Sequence, residues 1–527
     1  MKRLVLGTLV AACAALGLMS APALAAGTAG VEHLHFAAGP YLVRSGANSI
    51  FLDTNSVPKP KVDGYMIRMA PNLHYALGAP GHFHCCGAIP RVDIIHLHHG
   101  VWLSDGAAGR GEGNSRYGPF YPFMATGEEK TVFELPKGFG DPVGAKDVWI
   151  FNYMIHNLWP QARWVYVTYD IDFVPMSTKL AKTITPVHPI WMDVEGGQIY
   201  PVFDVHRYSG VNGRNTFPYM DKNAYPAGTR ALNQMVVDHP GTLIATAAHV
   251  HPGGLFGQLD ITRAGATPQG GALAGMTPGS VRLFRSNAHY WDPRGPISWD
   301  MAMQGTSPDW RPYVKAGDTL SVSATYETRR ASWYESMGIM VVWEAWDKAK
   351  GATDPFSHKL DQSGHLTHGH LAENDHHGGT LQVGQNPDTM ANCTADQVTI
   401  RHYQYNPGGF FATGKNDCIP TIRQGQTVTF VNQDAPNSNI GFLNPDSWYG
   451  KAIFHTVTSC QNPCGLDTGI SYPLAQGGAT FDSGQMGLET PATGSLDWST
   501  PKGLKPGVYT YYCRIHPFMR GVFRVIK

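Results

Sequence analysis

The sequence predicts an all-β protein. Its 60 glycines and 38 prolines among 527 residues punctuate short runs rich in valine, threonine and aromatic side chains, as expected of many strands joined by turns. Several runs alternate apolar and polar residues, as in "GVYTYYC" and "TLIATAAHV", which suits strands with one face against a core. The length exceeds what one hydrophobic core serves and points to about three domains. Lysine plus arginine balances aspartate plus glutamate at 40 each, which argues against a nucleic-acid partner or a strongly charged membrane surface.

At the N-terminus, Lys2 and Arg3 precede an apolar run from Leu4 to Met19 and the small-residue stretch "APALAAG". This pattern predicts a signal peptide over residues 1–25, cleaved near Ala25, and a secreted or periplasmic protein. Cys13 in "VAAC" is not read as a lipidation site, because the apolar run continues past it. No later stretch approaches the ~18 continuous apolar residues of a membrane span, so no membrane partner is expected.

Export makes the cysteines informative. After cleavage seven remain: Cys85, Cys86, Cys393, Cys418, Cys460, Cys464 and Cys513. An oxidising compartment favours pairing, and an odd total leaves at least one thiol over. Local spacing favours Cys393 with Cys418 and Cys460 with Cys464, although connectivity stays open. Cys85 and Cys86 in "GHFHCCG", beside His82 and His84, read as a ring disulfide or else as an extra copper(I) site. Cys513 is then the spare.

That spare thiol stands in "YTYYCRIHPFMRG", where Cys513, His516 and Met519 are spaced three apart as an alternating strand gives way to a tight loop. A second imidazole is available at His455 in "FHTVTS", before another alternating run. Two imidazoles, a thiolate and a weak axial thioether are the donor set of a trigonal copper site for electron transfer. A buried free cysteine beside a surface histidine is the plain alternative. From about residue 394 onward, including "PTIRQGQTVTFVNQD" and "HTVT", the chain resembles the cupredoxins, and "CRIHPFMRG" is similar to the copper loop of amicyanin. The resemblance implies a Greek-key β-sandwich over residues 393–527 with one blue type 1 copper on His455, Cys513, His516 and Met519.

Upstream, His249 and His251 end the run "TLIATAAHVHPGG", so in a strand both imidazoles face one side and can grip one metal. "RVDIIHLHHGVWLS" offers His96, His98 and His99. Strict two-residue periodicity pairs His96 with His98 and sends His99 to the other face. "RASWYESMGIMVVWEAW" adds a thioether at Met337, with Met340 as its rival. Core packing is the ordinary task of either methionine, as a hydrogen-bonded structural role is for a lone histidine.

In this order, over about residues 30 to 350, these segments resemble the copper type II, ascorbate-dependent monooxygenases, the family of peptidylglycine hydroxylating monooxygenase and dopamine beta-monooxygenase. The resemblance implies two tandem jelly-roll β-sandwiches, at residues 26–185 and 186–350, each with a non-blue copper. Carried over, His98 and His99 match the family's adjacent pair, and His156 in "FNYMIHNLW" matches its third histidine, at the electron-transfer copper. His249, His251 and Met337 match the oxygen-binding, catalytic copper. No clear equivalent is visible of the residues that anchor a peptide carboxylate, so a peptide substrate does not follow.

Residues 351–392 turn polar, glycine-rich and histidine-rich, with His358, His365, His368, His370, His376 and His377. This reads either as a flexible tether or as a strap across the open cleft that the resemblance implies between the two coppers, with His368 and His370 as supplementary ligands.

Together these readings predict an exported multi-copper monooxygenase acting on a small-molecule substrate. It would use dioxygen and an external one-electron reductant such as ascorbate or a redox protein. The fused blue copper domain would feed electrons at high effective concentration. The alternative is an exported copper carrier or electron-transfer protein without oxygenase activity. Multicopper oxidases and nitrite reductases wire their coppers through histidines flanking the cysteine; here Tyr512 and Arg514 flank Cys513, which disfavours that class.

Overall fold

The computed structural model describes residues 29–527 apart from 45, 48–49, 56, 93, 112–117, 128–129, 160, 195–202, 219–232, 267–278, 293–294, 298–299, 347–348, 371–389, 410–417, 435–454, 460–478, 485 and 488–495. The expected signal peptide, the expected Cys460–Cys464 pair, His376 and His377 lie outside the described residues. The protein is all-β: among the described residues the one helical element is a 3-10 turn, Leu180–Thr183. No helix among them is long and apolar enough to cross a membrane.

Among the described residues, six sheets form three successive pairs, and a further two-strand ladder joins Phe203–Val205 to Trp333–Ser336. The first pair sets a sheet centred on Glu32–Val43, Arg163–Pro175 and Gly64–Tyr75 beside one ordered Ile50–Asp53, Trp149–Asn157, Ile95–Ser104, Tyr121–Thr126. In the second, His188–Asp193, Gly338–Ala345, Gly241–Val250 and Tyr313–Val314 form the smaller sheet. Its partner runs from Arg214–Phe217 through Thr319–Glu327, Gly254–Thr262, Ser280–Tyr290 and Met301–Thr306 to Gly364–Leu366. In the terminal pair, Ile419–Arg423, Arg520–Ile526 and Gly507–Tyr512 are the central neighbours of one sheet and Gln397–Arg401 and Thr429–Asn432 those of the other. A Cys393–Cys418 disulfide joins the start of this region to the residue just before Ile419–Arg423.

Burial sets apart the strands around the candidate donors. Ile95–Ser104, Trp149–Asn157 and Gly338–Ala345 are buried at every position, so both faces of each are covered, one by its own sandwich and the other by a neighbour. In the second sandwich the two faces are visibly distinct. Ala248, Met340 and Val342 pack into its own core, whereas Ala245, Ile339, Val341 and Trp343 join apolar residues of the first sandwich. Met340, the rival to Met337, is thereby a core residue.

The second sandwich continues beyond residue 350, since Gly364–Leu366 pairs with Met301–Thr306. Arg263 bridges Asp318 and Asp354 at 2.7 and 2.9 Å and pins the connecting segment to the same sandwich. The first part of the histidine-rich stretch is therefore ordered chain.

Candidate metal centres

In the terminal sandwich the strand Gly507–Tyr512 delivers Cys513 to its end, and a loop returns to Arg520–Ile526. The Cys513 N–H donates to the Met519 carbonyl at 3.2 Å and the Met519 N–H to the His516 carbonyl at 2.8 Å, which sets the width of the loop. His455 is held across the site by paired backbone hydrogen bonds with Met486. The Cys513 sulfur lies 3.9 Å from His455 Nδ1 and 3.7 Å from His516 Nδ1, and the two Nδ1 atoms are 3.1 Å apart. Met519 is fully buried beside them in the same core.

The outer nitrogen of each ring is engaged elsewhere. His455 Nε2 donates to Asp434 at 3.0 Å, and His516 Nε2 donates to the Gly46 carbonyl of the first sandwich at 2.9 Å. Such outer partners fix the tautomer and leave Nδ1 as the donor for a metal. Burial pushes the Cys513 thiol up, but hydrogen bonds to His455 and His516, with their charges, outweigh it and hold the thiol well below its ordinary range. The Thr456 N–H also donates to this sulfur at 3.2 Å. Soft sulfur with two imidazoles fits copper.

The upstream histidines meet at the interface between the first two sandwiches. His96 sits directly opposite His156 in the ladder, and a bulge follows between Leu97 and His99. A bulge places two residues against one and lets consecutive side chains serve one side. Both His98 and His99 accordingly reach the second sandwich: the His98 ring centroid is 4.4 Å from that of His251, and His99 Nδ1 is 3.3 Å from the Met337 sulfur. Strict alternation, which sends His99 away, fails at this irregularity. His99 Nε2 donates to Asn152 at 3.2 Å, again leaving Nδ1 for the interior.

On the facing side, His249 Nε2 lies 3.1 Å from His251 Nε2. One hydroxyl organises this side. Tyr326 donates to the Met337 carbonyl at 2.6 Å and accepts from the Met337 and His251 N–H groups at 3.2 and 3.0 Å.

The donors do not sort by sandwich. His98 and His156, with ring centroids 4.4 Å apart, converge with Glu335 so that their ligand atoms lie within 4.8 Å of one another. His99 instead faces Met337, with His249 alongside. His96 stays near His156, ring centroids 5.0 Å apart, with Nδ1 donating to the Val92 carbonyl. Burial, reinforced by neighbouring imidazoles, holds His98, His156 and His251 well below the ordinary histidine range. Burial and His249 do the same for His99. Neutral imidazoles are the form that binds metal.

No family model matches the chain, and no curated protein matches it. Among solved structures, a Cu(I) form of a mutant amicyanin is 18% identical, spans 28% of this chain and 93% of its own, with a TM-score of 0.15. A copper-containing nitrite reductase from Thermus scotoductus SA-01 is 14% identical over 54% of this chain and 55% of its own, also at a TM-score of 0.15. Likeness at that level decides nothing about function, which rests on the donors themselves.

Two contacts tie the terminal site to the interface. Beyond the Gly46 contact of His516, the neighbouring Arg514 reaches the Ser332 carbonyl and pairs with Asp482 at 3.1 Å. Asp482 in turn accepts the Ser332 N–H at 2.6 Å, three residues before Glu335. Gly46, Asp434, Arg514 and Glu335 escape sequence reading because no spacing marks them. Glu335, at φ 45°, sits beside Met337 in the quoted "WYESMG", and a carboxylate next to a candidate thioether was the available signal.

Elsewhere, Cys85 and Cys86 pair with each other, and the ligand atoms of His35, Cys85 and Cys86 lie within 4.8 Å of one another. His368 bonds the Met301 carbonyl at 3.1 Å and His370 the Asp300 carboxylate at 3.3 Å. These two fasten the chain to the second sandwich and stand apart from the buried cluster.

Proposed function

We propose that this chain is an exported copper oxidoreductase that uses dioxygen to oxygenate a small molecule. One oxygen atom enters a carbon–hydrogen bond and the other leaves as water. The balance requires two protons and two electrons, supplied singly by an external reductant such as ascorbate or a redox protein. His455, Cys513, His516 and Met519 would hold one blue copper. Two non-blue coppers would share the interface: His99, His249 and Met337 would hold one, and His98, His156 and Glu335 the other, with His251 between.

Copper in these places supplies one-electron chemistry and, when reduced, affinity for dioxygen. The chain's own residues do the rest. Asp434 and Gly46 orient the two imidazoles of the terminal site, Asn152 orients His99, and Tyr326 holds Met337 against His251. Surrounding side chains keep the upstream donors buried.

The observation that carries this reading is the contact of His516 with Gly46, whose own N–H donates at 3.0 Å to the carbonyl of Asn157, next to His156. The donor set that carries the Cys513 thiolate thus abuts the imidazole cluster instead of solvent. A copper carrier is less favoured, since the upstream donors are at most 3% exposed and cargo exchange needs access. Copper content with electron paramagnetic resonance, beside ascorbate-driven oxygen uptake, tests the proposal. Three coppers per chain, one blue and two non-blue, are expected; a single copper per chain overturns it.

A further inference from the structure

We infer that the cavity between the first two sandwiches is a binding site for an uncharged, apolar small molecule, the substrate class of the reaction proposed above, on which this assignment rests. The cavity has a volume of about 550 Å³, within the range of small-ligand pockets. Its floor is one face of a two-strand ladder. Ala245, Ala247 and His249 alternate along Gly241–Val250, opposite Trp343, Val341 and Ile339 respectively. Side chains two apart share a face, so the face that carries His249 is also the face that lines the cavity.

Three features specify the occupant. Alanine at 245 and 247 leaves space where larger strand formers would fill the gap to the first sandwich. The opposing wall supplies Met124 and Phe133, the latter packed on Trp343 with ring centroids 4.2 Å apart. Thr246, between two floor residues on the ladder, has its polar groups occupied within the fold: its hydroxyl donates to the Val341 carbonyl at 2.8 Å, and its N–H donates to the Thr306 hydroxyl at 3.2 Å. The charged lining residues Glu134 and Lys137 are exposed, at the rim. A charged ligand entering past them would lose its hydration without a buried counter-charge, which is costly. An apolar one gains about 25 cal/mol per Å² buried. His249, 3.1 Å from His251, places the end of the pocket at the metal-donor cluster.

The test uses three probes of one shape, 4-fluorotoluene, 4-fluorobenzoate and 4-fluorobenzylammonium, followed by fluorine NMR on the full-length mature protein with and without copper. Only 4-fluorotoluene is expected to bind, and its resonance should broaden further when copper(II) is loaded. Ala247→Phe, which fills the floor, should weaken its binding at least tenfold while copper content and blue absorption stay unchanged. Val341→Phe provides a second filling variant from the other strand, with blue absorption reporting that the fold survives. Unaltered binding in both variants, or equal binding of the charged probes, overturns the pocket assignment. Such an outcome leaves the copper count untouched. Conversely, a count of one copper removes the oxygenase reading even if 4-fluorotoluene binds the copper-free protein.

Discussion

His516 of the terminal sandwich and His156 of the first are linked through a single glycine. His516 donates to the Gly46 carbonyl at 2.9 Å, and the Gly46 N–H donates at 3.0 Å to Asn157, the residue after His156. Gly46 can do this because it adopts φ +66° and carries no side chain. A Cβ there would sit 2.3 Å from the Tyr403 ring.

Gly46→Ala should therefore separate the terminal site from the cluster without removing any donor. Left-handed backbone costs alanine about 1–2 kcal/mol, and the clash with Tyr403 must be relieved by displacement. We expect blue absorption to persist and its reoxidation by dioxygen after reduction to slow at least tenfold in stopped-flow traces. An unchanged rate would exclude this contact as the connection.

Met337→Ile tests the thioether. The swap nearly conserves volume and should cost less than about 1.5 kcal/mol of stability. Loss of product formation with retained blue colour is expected, and undiminished turnover would remove Met337 from the reaction.

Glu335→Gln keeps size and removes the charge beside His98 and His156. Dialysis against a weak chelator followed by copper analysis should show one equivalent less copper than the parent protein. Full retention would leave the imidazoles sufficient by themselves.

Asp434→Asn weakens the acceptor that orients His455 at 3.0 Å. Loss of such a partner typically lowers metal affinity 10- to 100-fold. Competitive copper titration read at the blue band should move by that factor, with the upstream coppers unaffected.

Asp260, away from every proposed ligand, controls a pH effect on folding. Burial pushes its carboxyl up to about 6, against the lowering influence of Gln258, Arg282 and Arg285. The folded chain thus binds this proton more tightly than the unfolded chain, whose carboxyl titrates near about 4. Its contribution to stability declines as pH rises from about 4 to about 6 and is level above that. Asp260→Asn should flatten this decline, a difference on the order of 3 kcal/mol at most, in urea midpoints measured from pH 4 to 7. A slope identical to that of the parent would assign the effect elsewhere.

Several members of the candidate sites were legible in the sequence. The donors Cys513, His516 and Met519 lie within one loop, and His249 with His251 follow from alternation along a strand, because both patterns depend only on local backbone geometry. His98 and His99 were legible as residues but not as a geometry: the bulge at Leu97–His99 arises from pairing with Ile155 and Met154, more than fifty residues away in sequence. Glu335, Asp434 and Gly46 carry no periodic or motif signal.

By itself, the amino-acid order determined the all-β character and the kinds of donor available, since strand alternation and side-chain chemistry are properties of short segments. Tertiary structure alone decided which donors stand together. His99 meets Met337 from 238 positions away, and His516 meets Gly46 from 470. Those meetings depend on how sheet faces bury one another, a packing outcome distributed over three sandwiches that no short stretch of chain encodes.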